Sequence, residues 1–368
     1  MPEITKPASQ SHLDYLDSAR GIAAMMVMVG HYINWKYEYH IGIKVASILF
    51  NGADAVSFFF VLSGFVLSYK YIVLKQPLDI RKFYIGRFFR LWPAFFLIVI
   101  LNALNANRSD LSLQNLMNVF IYNKTQFWEE ATLLRAGHSV YYVPGWTLVI
   151  ELALSFLVPF WILLAKKDTR LIYWLIIANL IMGAEQFNIH FLLGIILSCL
   201  FNRINDSTFR ETKWYRYRYP ILFAAAVLFS IRMITKISPP GPTYTYLADY
   251  LRISYFLYTG IAAFIFIGAI INSPKAQNIL RHRSLLFCGK ISYGIYLAHW
   301  LFVIVIYTYW DRITPHFPNN KVAFIIVFCI YSAATILLAT ILHYAVELPF
   351  IRIGKRLVNK FKPSLVIE

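Results

Sequence analysis

Apolar residues in this chain come in long, nearly unbroken runs, without the alternation of a half-buried strand. Ten of these runs approach or reach the length of a membrane-spanning helix. They lie at roughly 18–36, 46–68, 89–105, 146–165, 170–184, 188–202, 219–236, 253–272, 290–309 and 322–346. The fifth and sixth are short and are separated by only a few polar residues. Pro93, Pro144 and Pro159 fall near helix starts or inside a run, where neighbours must re-satisfy the backbone. One long polar segment, 105–145, contains a possible interfacial helix, LSLQNLMNVFIYN, and the aromatic-rich stretch QFWEE. The pattern predicts an all-α, polytopic membrane protein of about ten transmembrane helices. A single domain covers 1–368, with a helical core at 13–350, the loop at 105–145 and a basic tail at 351–368.

Composition strengthens that reading. Of 368 residues, 59% are hydrophobic and only 14% charged, against about half and a quarter in soluble domains. The net charge of +17 does not signal nucleic acid, because the basic residues sit in short inter-helix segments rather than along one stripe. With the N-terminus cytoplasmic, 25 of the 35 Lys and Arg fall on the inner side, the asymmetry expected of the positive-inside rule. Both termini are then cytoplasmic and 105–145 is an outer loop. Cys199, Cys288 and Cys329 have no metal-ligand spacing and read as free core residues. The first apolar run follows Asp14 and Asp17 and shows no cleavage site, so the first helix is expected to be retained.

Candidate chemistry begins with LDYLDSARGIAAMMVMVGHYINW, 13–35. Arg20 and His31 are eleven positions apart, so on a helix they lie about 20° apart around the axis and roughly 16 Å apart along it. Ionisable residues at such depth usually face a protein interior or watery cavity. Arg20 as a snorkelling flank and His31 as a helix-contact residue are the bland alternatives. Arg87 and Arg90 share a helix face, as topology signals or as a phosphate clamp. Asp54 and Ser63-Gly64 lie on the second run, the latter suited to close packing or to a hydrogen bond at a reacting carbonyl. Glu151, in PGWTLVIE after Trp146, falls in the outer half with His31, where a carboxylate would poise an imidazole base. Tyr293, Tyr296 and His299 lie on the ninth run. His343 and Glu347 end the tenth, and Glu347 could pair with Arg20 or another inner-end arginine as a structural ion pair.

Six fragments together resemble the acyltransferase type 3 family of integral membrane acyltransferases. They are Arg20 and His31; Phe59, Phe60, Ser63 and Gly64; Arg87 and Arg90; Trp146 and Glu151; Ser292 through Trp300; and Glu347, Pro349 and Phe350. Two departures are Leu152, where a second acidic residue is usual, and the absence of the extracellular hydrolase-like domain that some members append. The resemblance implies O-acylation, most often acetylation, of a cell-surface or lipid-linked carbohydrate, with acetyl-CoA or another acyl-CoA as donor and no metal. It places the protein in a bilayer, taken to be the bacterial inner membrane. His31, Arg20, Glu151 and Ser63 are the catalytic candidates; His31 would act as general base or carry the acyl group transiently. Arg20, Arg87, Arg90, Tyr293 and Glu347 would hold the donor. Asp54, Trp146 and His299 would meet the acceptor. Export of an acylated lipid or sugar is the competing class, although no repeated halves of the transporter kind are visible. Acylation of a lipid or small hydrophobic acceptor is the third.

Overall fold

The computed structural model describes residues 13–35, 48–122, 124–133, 139–182, 187–237, 242–360 and 366–367. Residue 36 of the first predicted run, 46–47 of the second, 183–184 of the fifth, 123 and 134–138 of the long loop, and 361–365 and 368 of the tail lie outside them. Of the described residues, 88% are helical. Each predicted run contains a helix: α1 Asp14–Trp35, α2 Gly52–Ile72, α3 Ile80–Ala106, α4 Trp146–Lys167, α5 Arg170–Ile181, α6 Phe187–Asn205, α7 Arg218–Ile237, α8 Pro242–Asn272, α9 Ser292–Ile313 and α10 Asn320–Ile341.

Length and apolarity single out some of these helices as spans. Among the described residues six helical stretches are long and apolar enough, those of α2, α3, α4, α6, α9 and α10. A seventh is counted if α8 and the helix Pro274–Leu280, bent 95° to each other, form one broken span. α5 has only 12 residues, about 18 Å of helix against a hydrocarbon thickness of about 30 Å. α1 is diluted by Arg20, His31 and Asn34. Outward-facing Trp174, Ile181, Phe223, Ile325, Ile330 and Leu337 are all more than half exposed, a pattern suited to lipid rather than water. The protein is an integral, multi-pass membrane protein.

Small residues set the packing, because lipid supplies little drive to bury one apolar helix against another. A Cβ on Gly64 would lie 2.2 Å from the Phe191 carbonyl oxygen, and one on Gly194 2.1 Å from that of Val61. α2 and α6 therefore meet backbone to backbone, with the Ser68 and Ser198 hydroxyls bonded at 2.7 Å beside the contact. Gly30 and Gly52 do the same where α1 ends and α2 begins, so the two helices run antiparallel. Tyrosine hydroxyls tie α1 to its other neighbours: Tyr307 of α9 donates to the His31 carbonyl at 2.6 Å and Tyr331 of α10 to that of Met28 at 3.1 Å.

The long loop is organised by one acid. Its expected interfacial helix is a short α-helix, Leu113–Met117, continued by a π turn, Asn118–Tyr122. After it comes the helix Lys124–Ala131, where buried Glu130 accepts from the amides of Val140, Tyr141 and Tyr142 at 2.9, 3.0 and 2.5 Å. That cradle fixes the approach to the 3-10 turn Val143–Gly145 that opens α4.

Most of the described tail is helical rather than an extended appendage. α10 passes through a π turn, Leu342–Glu347, into α11, Leu348–Lys360. Arg352, Lys355 and Arg356 lie on one side of α11 and Phe350, Ile353 and Leu357 on the other, an interfacial pattern. Gly354 seats it against Phe89 of α3. A two-residue strand, Val366–Ile367, pairs antiparallel with Leu78–Asp79 between α2 and α3. The three cysteines are free; Cys199 and Cys288 are half-buried, whereas Cys329 is exposed rather than in the core.

Candidate active site

Two cavities lie back to back among α1, α2, α4 and α9. The first, about 330 Å³, is lined by Arg20 of α1, Ser63 and Lys70 of α2, Lys82, Arg87 and Arg90 of α3, Glu151 of α4 and Tyr293 of α9. Five basic side chains against two acidic ones, Asp17 and Glu151, make it an anion-binding space. α3 carries three of them because Lys82, Arg87 and Arg90 fall within its first eleven residues. The second cavity, about 340 Å³, is lined by His31, Trp146, Asn51, Arg232 and the backbone-rich turn Val143–Pro144. Val56, Thr147 and Tyr296 line both.

In the first cavity the polar groups form a short network. Arg87 donates to Glu151 Oε1 at 2.7 Å and to Ser155 Oγ at 2.9 Å. Ser63 Oγ donates to the same Glu151 oxygen at 3.2 Å. Arg20 is paired with Asp17 at 2.7 Å, while Arg90 has no ion pair among the described residues. Tyr293 donates its hydroxyl to the Leu91 carbonyl at 2.7 Å and turns its ring to the cavity wall. The FFxxSG fragment thus divides its labour: Gly64 packs against α6 and Ser63 faces the cavity.

The second cavity is organised around two histidines. His31 Nδ1 lies 3.1 Å from His299 Nε2, the rings stacked with centroids 5.0 Å apart. His299 is wholly buried, and its Nδ1 is 3.3 Å from the Ile295 carbonyl. A carbonyl oxygen only accepts, so His299 carries its proton on Nδ1 and accepts at Nε2. His31 is then the donor through Nδ1–H, which leaves the lone pair of a neutral imidazole on Nε2. Trp300 closes edge-on against the His31 ring at 5.4 Å.

Several expected partnerships are rearranged. Glu151 stands in the arginine cavity with Arg87 and does not pair with His31; shared depth along two helices did not mean a shared chamber. Glu347 meets His343 at 2.7 Å instead of Arg20 and does not line either cavity. Asp54 is wholly buried at the start of α2, bonded by the Asn51 side chain, while Asn51 itself takes the lining position. His299 stands behind His31 rather than on the wall. Lys70, Lys82 and Arg232 also line the cavities; Lys70 and Lys82 are among the inner-side basic residues that the positive-inside rule already accounts for.

The family model described as an acyltransferase domain, type 3, matches residues 13–344. The chain belongs to the acyltransferase type 3 family. Nodulation protein 10 of Rhizobium leguminosarum bv. viciae is similar to it, 25% identical over 333 residues that cover 80% of this chain and 83% of that protein. No solved structure matches the chain. Within this acyltransferase the matched region takes in both cavities, and all five basic residues of the first fall inside it.

Proposed function

We propose that the protein transfers an acyl group, most simply acetyl, from acyl-CoA in the arginine cavity to a hydroxyl of a cell-surface or lipid-linked carbohydrate in the histidine cavity. The observation that carries the reading is the pair of adjoining cavities, one rich in cations and the other holding a histidine with a defined proton. Arg20, Arg87, Arg90, Lys70 and Lys82 suit the phosphates of a CoA, since guanidinium groups match phosphate oxygens bidentately and lysine adds point charge. Trp146, Asn51 and Arg232 offer the second cavity an aromatic surface and polar groups of the kind sugars use. The Lys and Arg distribution favours a cytoplasmic arginine end, both termini cytoplasmic and some spans short or broken, in a bacterial inner membrane.

His31 Nε2 accepts the proton of the acceptor hydroxyl as its oxygen attacks the thioester carbonyl. The carbon–sulfur bond breaks, the CoA thiolate leaves, and the proton held by His31 is returned to it. His299 keeps the His31 proton on Nδ1 so that Nε2 stays available. Ser63 and Arg87, tied together through Glu151, stand on the donor side, where a hydroxyl or guanidinium can steady the thioester or its oxyanion.

The test compares ester-linked acetyl on surface glycans in wild-type cells, a deletion strain, and the deletion complemented with His31→Ala, with the variant's presence in the membrane measured. Acetyl is expected to disappear in the deletion and to stay absent in the variant. Acetyl restored by His31→Ala removes the base from the mechanism. Acetyl unchanged in the deletion removes the glycan acetylation itself.

A further inference from the structure

The partition between the two cavities is one side chain thick, since Val56, Thr147 and Tyr296 each form wall on both sides. Its centre is a pair of hydroxyls. Tyr296 Oη and Thr147 Oγ1 are 2.6 Å apart, and both reach the Pro144 carbonyl, at 3.1 and 3.0 Å. Two hydroxyl protons serve one mutual contact and one carbonyl, so the pair is fully satisfied without water.

Each half of this closure is fixed from behind. Tyr142 donates to the Tyr296 carbonyl at 2.6 Å, and Tyr142 is itself held by Glu130. Pro144 belongs to the 3-10 turn that precedes α4. The Tyr296 ring lies against His299 at 5.7 Å and against Phe59 at 6.0 Å. On one side of the pair, therefore, is the cation-rich space, and on the other, one ring beyond, is the His31–His299 dyad. A thioester held by the arginines has this partition between its carbonyl and His31.

We infer that Val56, Thr147 and Tyr296 form a latched door through which the acyl group passes, and that the door admits short acyl chains and excludes long ones. The inference rests on the acyl-CoA reading above and adds the determinant of acyl size. The latch is the Tyr296–Thr147–Pro144 hydrogen-bond set. The aperture is set by the Thr147 and Val56 methyl groups, which no hydrogen bond requires. Closed, the same door keeps water of the acceptor side away from the thioester, so that opening without acceptor would be wasteful hydrolysis.

The experiment uses inverted membrane vesicles from the protein's own cells, supplied with acetyl-, butyryl- or hexanoyl-CoA labelled in the acyl group. Two readings are taken, base-labile label on the glycan or lipid fraction and label released as free acid. Wild type is expected to transfer acetyl far better than butyryl, and hexanoyl hardly at all. Thr147→Ala and Val56→Ala are expected to raise the butyryl-to-acetyl ratio about tenfold, the effect of one or two methylenes in a fitted pocket. Tyr296→Phe keeps the volume and removes the latch, so it should leave that ratio unchanged and raise the free acid.

Ratios unchanged in both alanine variants, with protein present in the membrane, overturn the door while leaving acyl transfer standing. Thr147→Ser, which keeps the hydroxyl and removes one methyl, carries the same test if Thr147→Ala does not insert. A wild type that uses hexanoyl as readily as acetyl also overturns it. A wild type that transfers from no acyl-CoA overturns the donor assignment and the door together.

Discussion

The two cavities differ little in size and almost completely in chemistry. The first, about 330 Å³, holds five basic side chains; the second, about 340 Å³, has Arg232 and a histidine whose proton is directed by another histidine. Many charges at modest geometric precision suit the holding of an anion, since electrostatic attraction falls off gently with distance. One lone pair at a fixed ring nitrogen suits a proton transfer, which needs hydrogen-bond reach. Binding and chemistry are therefore expected to separate by chamber, and mutations should separate in the same way.

The largest effect belongs to the histidine chamber. His31→Ala is expected to lower kcat by about 10²- to 10⁴-fold, the usual contribution of a general base, with KM for acyl-CoA unchanged in a steady-state vesicle assay. A raised KM with kcat kept would move His31 to the donor side and dissolve the contrast. Arg90→Ala should do the reverse. Losing one charge-assisted contact to the donor raises KM by about ten- to a hundredfold, and kcat should hold. An unaltered dependence on acyl-CoA concentration would take Arg90 out of the clamp.

His299→Phe sharpens the contrast within the second chamber. With no acceptor behind Nδ1, His31 loses its fixed tautomer and kcat is expected to fall about tenfold, a part of the base's contribution. His299→Gln, whose side-chain oxygen accepts, should recover some of that rate, whereas a purely packing role would show no such rescue. The smallest effect on catalysis is at Glu130, outside both chambers. Glu130→Gln weakens the three-amide cradle by about 1–3 kcal/mol. It should appear as a lower thermal unfolding midpoint in detergent, with activity per folded molecule nearly kept.

The positions of α1 through α10 were legible because apolar length is a one-dimensional signal. Which of them cross was less so. α5 is apolar yet only 12 residues long, and α11 was hidden inside a basic tail because its apolar residues recur along one face of a helix rather than run together. His31 and His299 each stood out as polar residues in apolar surroundings. Their contact joins positions 268 apart in the chain, a relation that depth along a helix does not encode. For the same reason His31 and Glu151 were matched by depth, although the Thr147–Tyr296 partition divides their cavities. Glu130 gave no local signal, because its amide partners follow ten to twelve residues later. Lys70 and Lys82 obey the positive-inside pattern and line a cavity at once, and a rule satisfied for one reason conceals the other.

The tyrosine hydroxyls on the α1 carbonyls have a consequence for motion. A helix ordinarily frays at its last turn, and His31 lies within five residues of the end of α1. Tyr307 on the His31 carbonyl and Tyr331 on that of Met28 fasten that turn to two other helices. Unwinding it would require α9 and α10 to let go together. Slow amide exchange is therefore expected to persist into the final turns of α1, giving the imidazole a seat as still as the middle of the bundle.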